Sequence, residues 1–203
     1  MADLIQFYGD SISGNCYKLQ LVAAELDLDY IWHETDILAG STQTEEFLAL
    51  NPNGKVPLMI LADGRVLPES NAILSYLANG SALAGADRYA NAKILQWLFF
   101  EQYSHEPYIA TSRFIMKYLK NPPSRRADLE AKQPGGRKAL AVMDRQLKSE
   151  NFIANDEYSI ADIALYAYTH VAHEGGFELD NYPSVRKWLR RIEDRPRFVP
   201  MKS

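Results

Sequence analysis

Apolar positions along this chain recur with two different periods, and the change from one to the other divides it. Leu4-Ile5-Gln6-Phe7-Tyr8 reads as a short strand, followed by a polar loop from Gly9 to Gly14. Leu19, Val22, Ala23 and Leu26 then recur at helical spacing. Tyr30 to Ile37 reads as a second strand. Thr44 to Leu50 reads as a short helix, stopped by Asn51-Pro52-Asn53-Gly54. Val56 to Leu61 is a third strand, and Asp63-Gly64 turns the chain back into Arg65-Val66-Leu67, a hairpin signal. A helix from Ser70 carries Ile73, Leu74 and Leu77. The order is βαβαββα, which predicts a mixed four-stranded sheet. Its first two strands are parallel because a helix joins them, and its last two form a hairpin.

After Asn79-Gly80-Ser81 the strand period disappears. Residues 1–79 are therefore expected to form one α/β domain, 80–86 a linker and 87–203 an all-helical domain. Asp87 to about Leu119 is a long helical stretch expected to bend at Pro107, and Asn121-Pro122-Pro123-Ser124 is a loop. A helix is expected over Lys138 to Lys148, separated from Ala127–Lys132 by a break at Pro134-Gly135-Gly136. Ser159-Ile160-Ala161-Asp162 has the form of a capping box, with Asp in the usual Glu/Gln place. Pro183 suits the first turn of a last helix containing Val185, Trp188, Leu189 and Ile192.

Composition narrows the function classes. Apolar residues make up 47% and charged residues 24% of 203, as in soluble globular proteins. No apolar run reaches the ~18 residues of a membrane span. Met1-Ala2-Asp3-Leu4-Ile5 has no basic segment or apolar signal core, so a cytoplasmic setting is expected. The single cysteine, Cys16, excludes an internal disulfide. His33, His105, His170 and His173 form no usual metal pattern, and no metal is expected. A net charge of −4 argues against nucleic acid as a partner. That charge is unevenly spread: residues 1–85 carry −8 and residues 86–203 carry +4.

Three stretches carry candidate chemistry. Pro57 interrupts the third strand, where it has no N–H to give. A cis bond there would leave the Val56 N–H and C=O free to pair with an extended peptide, whereas a trans proline at the head of a strand would be ordinary. Glu69-Ser70 opens a helix, where unpaired N–H groups and the dipole favour an anion. Ser70 can donate to a carboxylate, Glu69 can accept from an ammonium, and Lys55 adds a positive charge. An ordinary N-cap is the alternative. Ser13, in "SISGNC", precedes a helix and either caps it or donates to a thiolate bound there. Lowering a thiol pKa by ~2 units takes ~2.7 kcal/mol. One charge-assisted hydrogen bond gives roughly 1.5–3 kcal/mol, and a helix terminus up to ~1.

Taken in order, "NPNGKVPLM", "LPESNAILSYLA" and "YSIADI" make the chain resemble a cytosolic glutathione S-transferase of the bacterial, serine-type, theta/phi-like kind, over nearly its full length. The resemblance implies a thioredoxin-like N-terminal domain joined to an all-helical one. It implies that Lys55, Val56, Glu69 and Ser70 bind glutathione, with Val56 pairing to its cysteine backbone and Pro57 in cis. It selects Ser13 to activate the thiol, with Ser11 and Tyr8 as runners-up. Cys16, in a C-x-x-C-like frame whose first sulfur is replaced by Ser13, is expected to pack on the helix. Where relatives present His, Lys or Gln to the glycine carboxylate, Thr42 or Gln43 must serve. The electrophile is expected against the long helix, near Tyr103, His105, Tyr108 and Arg113, with Trp97, Phe100 and Phe114 in the core. The implied activity is glutathione transfer to a small electrophile in a homodimer, which the −8 and +4 halves would suit. Glutathione-dependent reduction or isomerisation, or a non-catalytic glutathione-binding module, are the competing functions.

Overall fold

The computed structural model describes residues 4–202; residues 1–3, where the N-terminal reading began, and residue 203 lie outside it. The chain divides into two compact units, one running to Asn79 and taking in the residues from Arg197 onward, the other spanning Gly80–Pro196.

The first unit has the expected element order. β1 (Ile5–Gly9) leads through α1 (Gly14–Leu26) to β2 (Tyr30–Glu34), then α2 (Glu45–Leu50), β3 (Leu58–Ile60), β4 (Val66–Pro68) and α3 (Ser70–Ala78). The sheet order is β2-β1-β3-β4. β1 and β2 are parallel, while β1–β3 and β3–β4 are antiparallel. β3 is shorter than its apolar run because Pro57 has no N–H for the ladder; the strand starts just after it, and the Val56–Pro57 peptide is cis. Alternation along β1 turns Phe7 into a cluster with Leu19 and Ala23 of α1, Met59 of β3 and Ile73 of α3. Each large apolar side chain buried there contributes about 1.5–3 kcal/mol. The residues after Pro196, expected in the helical part, join the first unit through hydrogen bonds. Tyr17 Oη donates to the Val199 carbonyl at 2.6 Å, and Arg197 donates to the Glu25 carbonyl at 3.2 Å.

The second unit is helical throughout. The long stretch comprises α4 (Arg88–Phe100), a π-helical turn (Glu101–His105), α5 (Glu106–Arg113) and a second π-helical turn (Phe114–Tyr118). Departure from α geometry thus begins before Pro107, which sits in the first turn of α5 where its missing N–H is tolerated. α7 (Ile160–Thr169) is buried on every side. Asp162 holds its start: the carboxylate accepts from the Ser159 N–H and hydroxyl, the Ile153 N–H and Trp188 Nε1, at 2.8–3.1 Å. Burial nonetheless pushes its pKa up to about 6. α8 (Pro183–Glu193) begins at the expected proline.

A further expectation fails. α6 runs unbroken over Arg126–Gln146, with Pro134 inside it. Gly135 and Gly136 do not break the helix but bring it close to its neighbours. A Cβ on Gly135 would lie 2.3 Å from the Tyr108 ring, and one on Gly136 would lie 2.3 Å from the Phe177 ring. Phe177 is itself core, packed with Ile109, Leu140 and Tyr168. Alanine gains about 1 kcal/mol over glycine in helix propensity, while overpacking costs about 1–3 kcal/mol. Gly136→Ala is therefore expected to lower the urea midpoint, by a net loss of up to about 2 kcal/mol; a raised midpoint would contradict the packing role.

Candidate functional site

Strand register brings the candidate residues of the first unit to one end of the sheet. Tyr8 pairs with Leu58, and Leu58 with Pro68. β1 ends at Gly9, β3 begins at Leu58 and β4 ends at Pro68, so the loop before α1, the Val56 segment and the start of α3 all leave from the same end of these strands. The Val56 N–H and C=O have no hydrogen-bond partner among the described residues. The loop carrying Val56 is held from behind: buried Asn51 donates through Nδ2 to the Lys55 carbonyl at 2.7 Å, leaving the Lys55 side chain exposed. Gly54, at φ +60, comes so close to Gln43 that a Cβ would lie 2.6 Å from Nε2. Gln43 donates from that nitrogen to the Gly54 carbonyl and to Thr42 Oγ1, both at 3.1 Å. Thr42 is buried and Gln43 exposed, but the Gln43 amide hydrogens are already given to Gly54 and Thr42, so neither offers a donor to an arriving carboxylate.

The loop before α1 is pinned on both sides. The Ser11 N–H donates to Glu34 Oε1 at 2.8 Å, and Trp32 Nε1 holds the other oxygen of that carboxylate at 2.8 Å. The Ile12 N–H donates to Asp10 Oδ1, and the Ser13 N–H to the Asp10 carbonyl, both at 3.0 Å. Ser13 is the N-cap residue of α1, in extended backbone, yet its hydroxyl makes no capping bond. The hydroxyl is half-buried and lies against the Cys16 thiol. Burial pushes Cys16 up to about 12; hydrogen bonds from Ser13 and the Asp10 main chain oppose this without offsetting it, and the charges of Asp10 and Glu34 add to it. Tyr8 has its ring stacked on His33, centroids 4.3 Å apart.

At the start of α3, Glu69 is exposed and takes φ 73, ψ 110, a conformation that costs of order 1–3 kcal/mol for a non-glycine residue. Ser70 is nearly buried. Its Oγ donates to Asn15 Oδ1 at 3.4 Å and accepts from Lys18 Nζ at 3.2 Å; Lys18 also donates to Asn71 Oδ1 at 3.2 Å. The starts of α1 and α3 are thus joined by side chains that the sequence reading did not single out. Lys18 left one signal, a charge among the otherwise apolar buried positions of α1.

The four electrophile candidates in the second unit do not come together. Their spacing carries them around the helix rather than along one face. Tyr103 is 84% exposed. His105 is fully buried, with Nε2 2.9 Å from Thr169 Oγ1. Arg113 is equally buried, and its Nε donates to Glu174 Oε2 at 2.5 Å. Burial would raise the Glu174 pKa, but Lys117 and Arg113 overcome it and hold the carboxyl below its usual value. His105 and Arg113 therefore have no surface for a substrate. Tyr108 is half-buried against Gly135. No group of three or more metal-ligating side chains occurs among the described residues.

Comparison with known proteins matches this architecture in both units. Residues 12–79 match the family model "Glutathione S-transferase, N-terminal domain", and residues 99–196 match "Glutathione S-transferase, C-terminal domain". The chain belongs to the glutathione S-transferase family. A glutathione S-transferase structure from Pseudomonas fluorescens Pf-5 superposes with a TM-score of 0.96 at 52% identity, over 98% of this chain and 100% of that one. A glutathione transferase family member from the same organism, with two glutathione molecules bound, superposes with a TM-score of 0.82 at 28% identity, over 97% and 91%. Disulfide-bond oxidoreductase YfcG of Escherichia coli K12 is 30% identical over 189 residues, covering 90% of this chain and 87% of its own.

Within this transferase-family site, a pKa near 12 leaves about one Cys16 in ten thousand ionised at pH 8. Iodoacetamide is expected to leave the native protein unmodified at that pH and to label it once denatured. Rapid labelling of the native protein would contradict the packed, inert assignment.

Proposed function

We propose that this chain binds glutathione and transfers its sulfur to a small electrophile. One observation supports the reading: the unpaired Val56 main chain, the loop leading to Ser13 and the start of α3 all leave from the same end of β1, β3 and β4. Val56 pairs with the cysteine main chain of the tripeptide. Ser70 donates to the γ-glutamyl carboxylate, and Glu69 accepts from the neighbouring ammonium. Lys55 meets the glycine carboxylate, and Gln43, which gives its amide hydrogens to the Gly54 carbonyl and Thr42 Oγ1, braces the loop that carries Lys55. Ser13 donates to the sulfur: its hydroxyl does not cap α1 and would turn to the ligand from the Cys16 thiol against which it rests. The thiol proton passes to solvent, the thiolate forms a carbon–sulfur bond, and the leaving group departs with the electron pair of the bond it breaks. Orienting the two reactants supplies much of the rate.

The second reading is glutathione-dependent disulfide reduction at the same site, favoured by the 30% identity to a protein named as a disulfide-bond oxidoreductase. We assign the protein to the cytoplasm, whose glutathione pool is reduced.

We also propose a homodimer. Leu95, Phe99 and Tyr103 are exposed and recur every four residues along α4 and into the turn after it. That stripe moves Tyr103 from the electrophile to the subunit contact and leaves Tyr108 as the electrophile candidate. With halves of −8 and +4, association measured by sedimentation is expected to weaken as salt rises; salt-independent association would contradict the charge contribution.

Ser13→Ala is expected to raise the pKa of bound glutathione by about 1–2 units, read from the thiolate absorbance. It should slow conjugation of a chlorinated nitroarene about 10–100-fold while binding of the tripeptide persists. An unchanged pKa would remove Ser13 from the role. Wild-type protein that reduces disulfides with glutathione but conjugates no electrophile would decide for the second reading.

A further inference from the structure

Lys18 lies in the second turn of α1 with no exposed surface, between Tyr17 and Leu19, which are also fully buried. Lysine is almost never enclosed in this way without a purpose its charge serves, because desolvating an ammonium is expensive. The long apolar stem does not explain the position, since leucine or methionine would fill it without that penalty. What distinguishes lysine here is where Nζ goes. It donates to Ser70 Oγ and to Asn71 Oδ1, both at 3.2 Å, which are the first two residues of α3.

The direction of the first bond matters. A lysine ammonium only donates, so it occupies a lone pair of Ser70 Oγ and turns the hydroxyl hydrogen away from itself. That hydrogen rests on Asn15 Oδ1 at 3.4 Å, far longer than the usual ~2.7–2.8 Å of an O–H···O bond. A weak bond of this kind is readily exchanged for a charged acceptor. A carboxylate arriving at Ser70 would receive the hydroxyl hydrogen, face the N-terminus of α3, and have a cation one atom behind the hydroxyl. Because Nζ is enclosed, water screens that cation less than it screens an exposed charge such as Lys55.

We propose that Lys18 is a positioning residue for the γ-glutamyl carboxylate of glutathione, holding the Ser70 hydroxyl outward from behind and lending the bound carboxylate its charge. This rests on the glutathione reading of the site.

The test is calorimetric titration of the full chain with two ligands, glutathione and the analogue whose γ-glutamyl α-carboxylate is replaced by a carboxamide. Wild-type protein is expected to prefer glutathione by about tenfold or more. Lys18→Met is expected to weaken glutathione binding about 10–100-fold and carboxamide binding only about two- to threefold, because the amide carbonyl also accepts from the Ser70 hydroxyl but carries no charge. A merely structural role would weaken both ligands alike, and that result overturns the proposal, as does a variant that binds glutathione like wild type. Should Lys18→Met fail to fold, the wild-type comparison still decides, because equal affinity for the two ligands overturns the proposal. Wild-type protein that binds neither ligand would remove the glutathione reading itself, whereas wild-type binding with an indifferent Lys18→Met variant removes only the role of Lys18.

Discussion

The feature on which the rest depends is the register of three short strands. Tyr8 opposite Leu58, and Leu58 opposite Pro68, decide which residues share the end of the sheet. A slip of one residue in β3 would turn Met59 out of the cluster it forms with Phe7, Leu19 and Ile73. The apolar core therefore enforces the pairing that brings the Val56 segment, the loop after β1 and the start of α3 to one end of the sheet. Burial of a few side chains on one face thus fixes the placement of polar groups at the sheet's edge.

Two helix starts complete that end, and neither is held by an ordinary cap. Ser13 makes no side-chain cap on α1, and Glu69 enters α3 through a left-handed, non-helical conformation. They are tied instead by Asn15, Lys18, Ser70 and Asn71. A polar link between helix starts holds their N–H groups in place before any ligand arrives, and such preorganisation lowers the entropy lost on binding. The buried thiol of Cys16 closes the floor under Ser13. With its pKa near 12 it stays protonated, so the chemistry assigned to the loop falls to a hydroxyl.

Much of this was legible in the sequence where one local signal sufficed. The period-two and helical runs gave the element order of the first unit, Asp63-Gly64 its hairpin, and Ser159 with Asp162 the start of a buried helix. The Pro57 and Glu69-Ser70 motifs pointed to the right end of the sheet. The misreadings came where packing between distant segments decides. Pro134-Gly135-Gly136 carries every local sign of a break, yet the glycines serve contacts with Tyr108 and Phe177 that no local rule shows. His105 and Arg113 have the chemistry of a binding wall, but Thr169 and Glu174, more than sixty residues away, draw them inward. Nothing near Lys18 in the sequence shows its partner, which lies fifty-two residues on, and a lysine is expected at the surface.

The most direct measurement is a crystal structure with glutathione bound. The account places the sulfur within about 3.5 Å of Ser13 Oγ, the cysteine main chain paired with Val56, and the γ-glutamyl carboxylate on Ser70. A tripeptide whose sulfur meets Tyr8 or Ser11 instead, or one seated away from Val56, would contradict it.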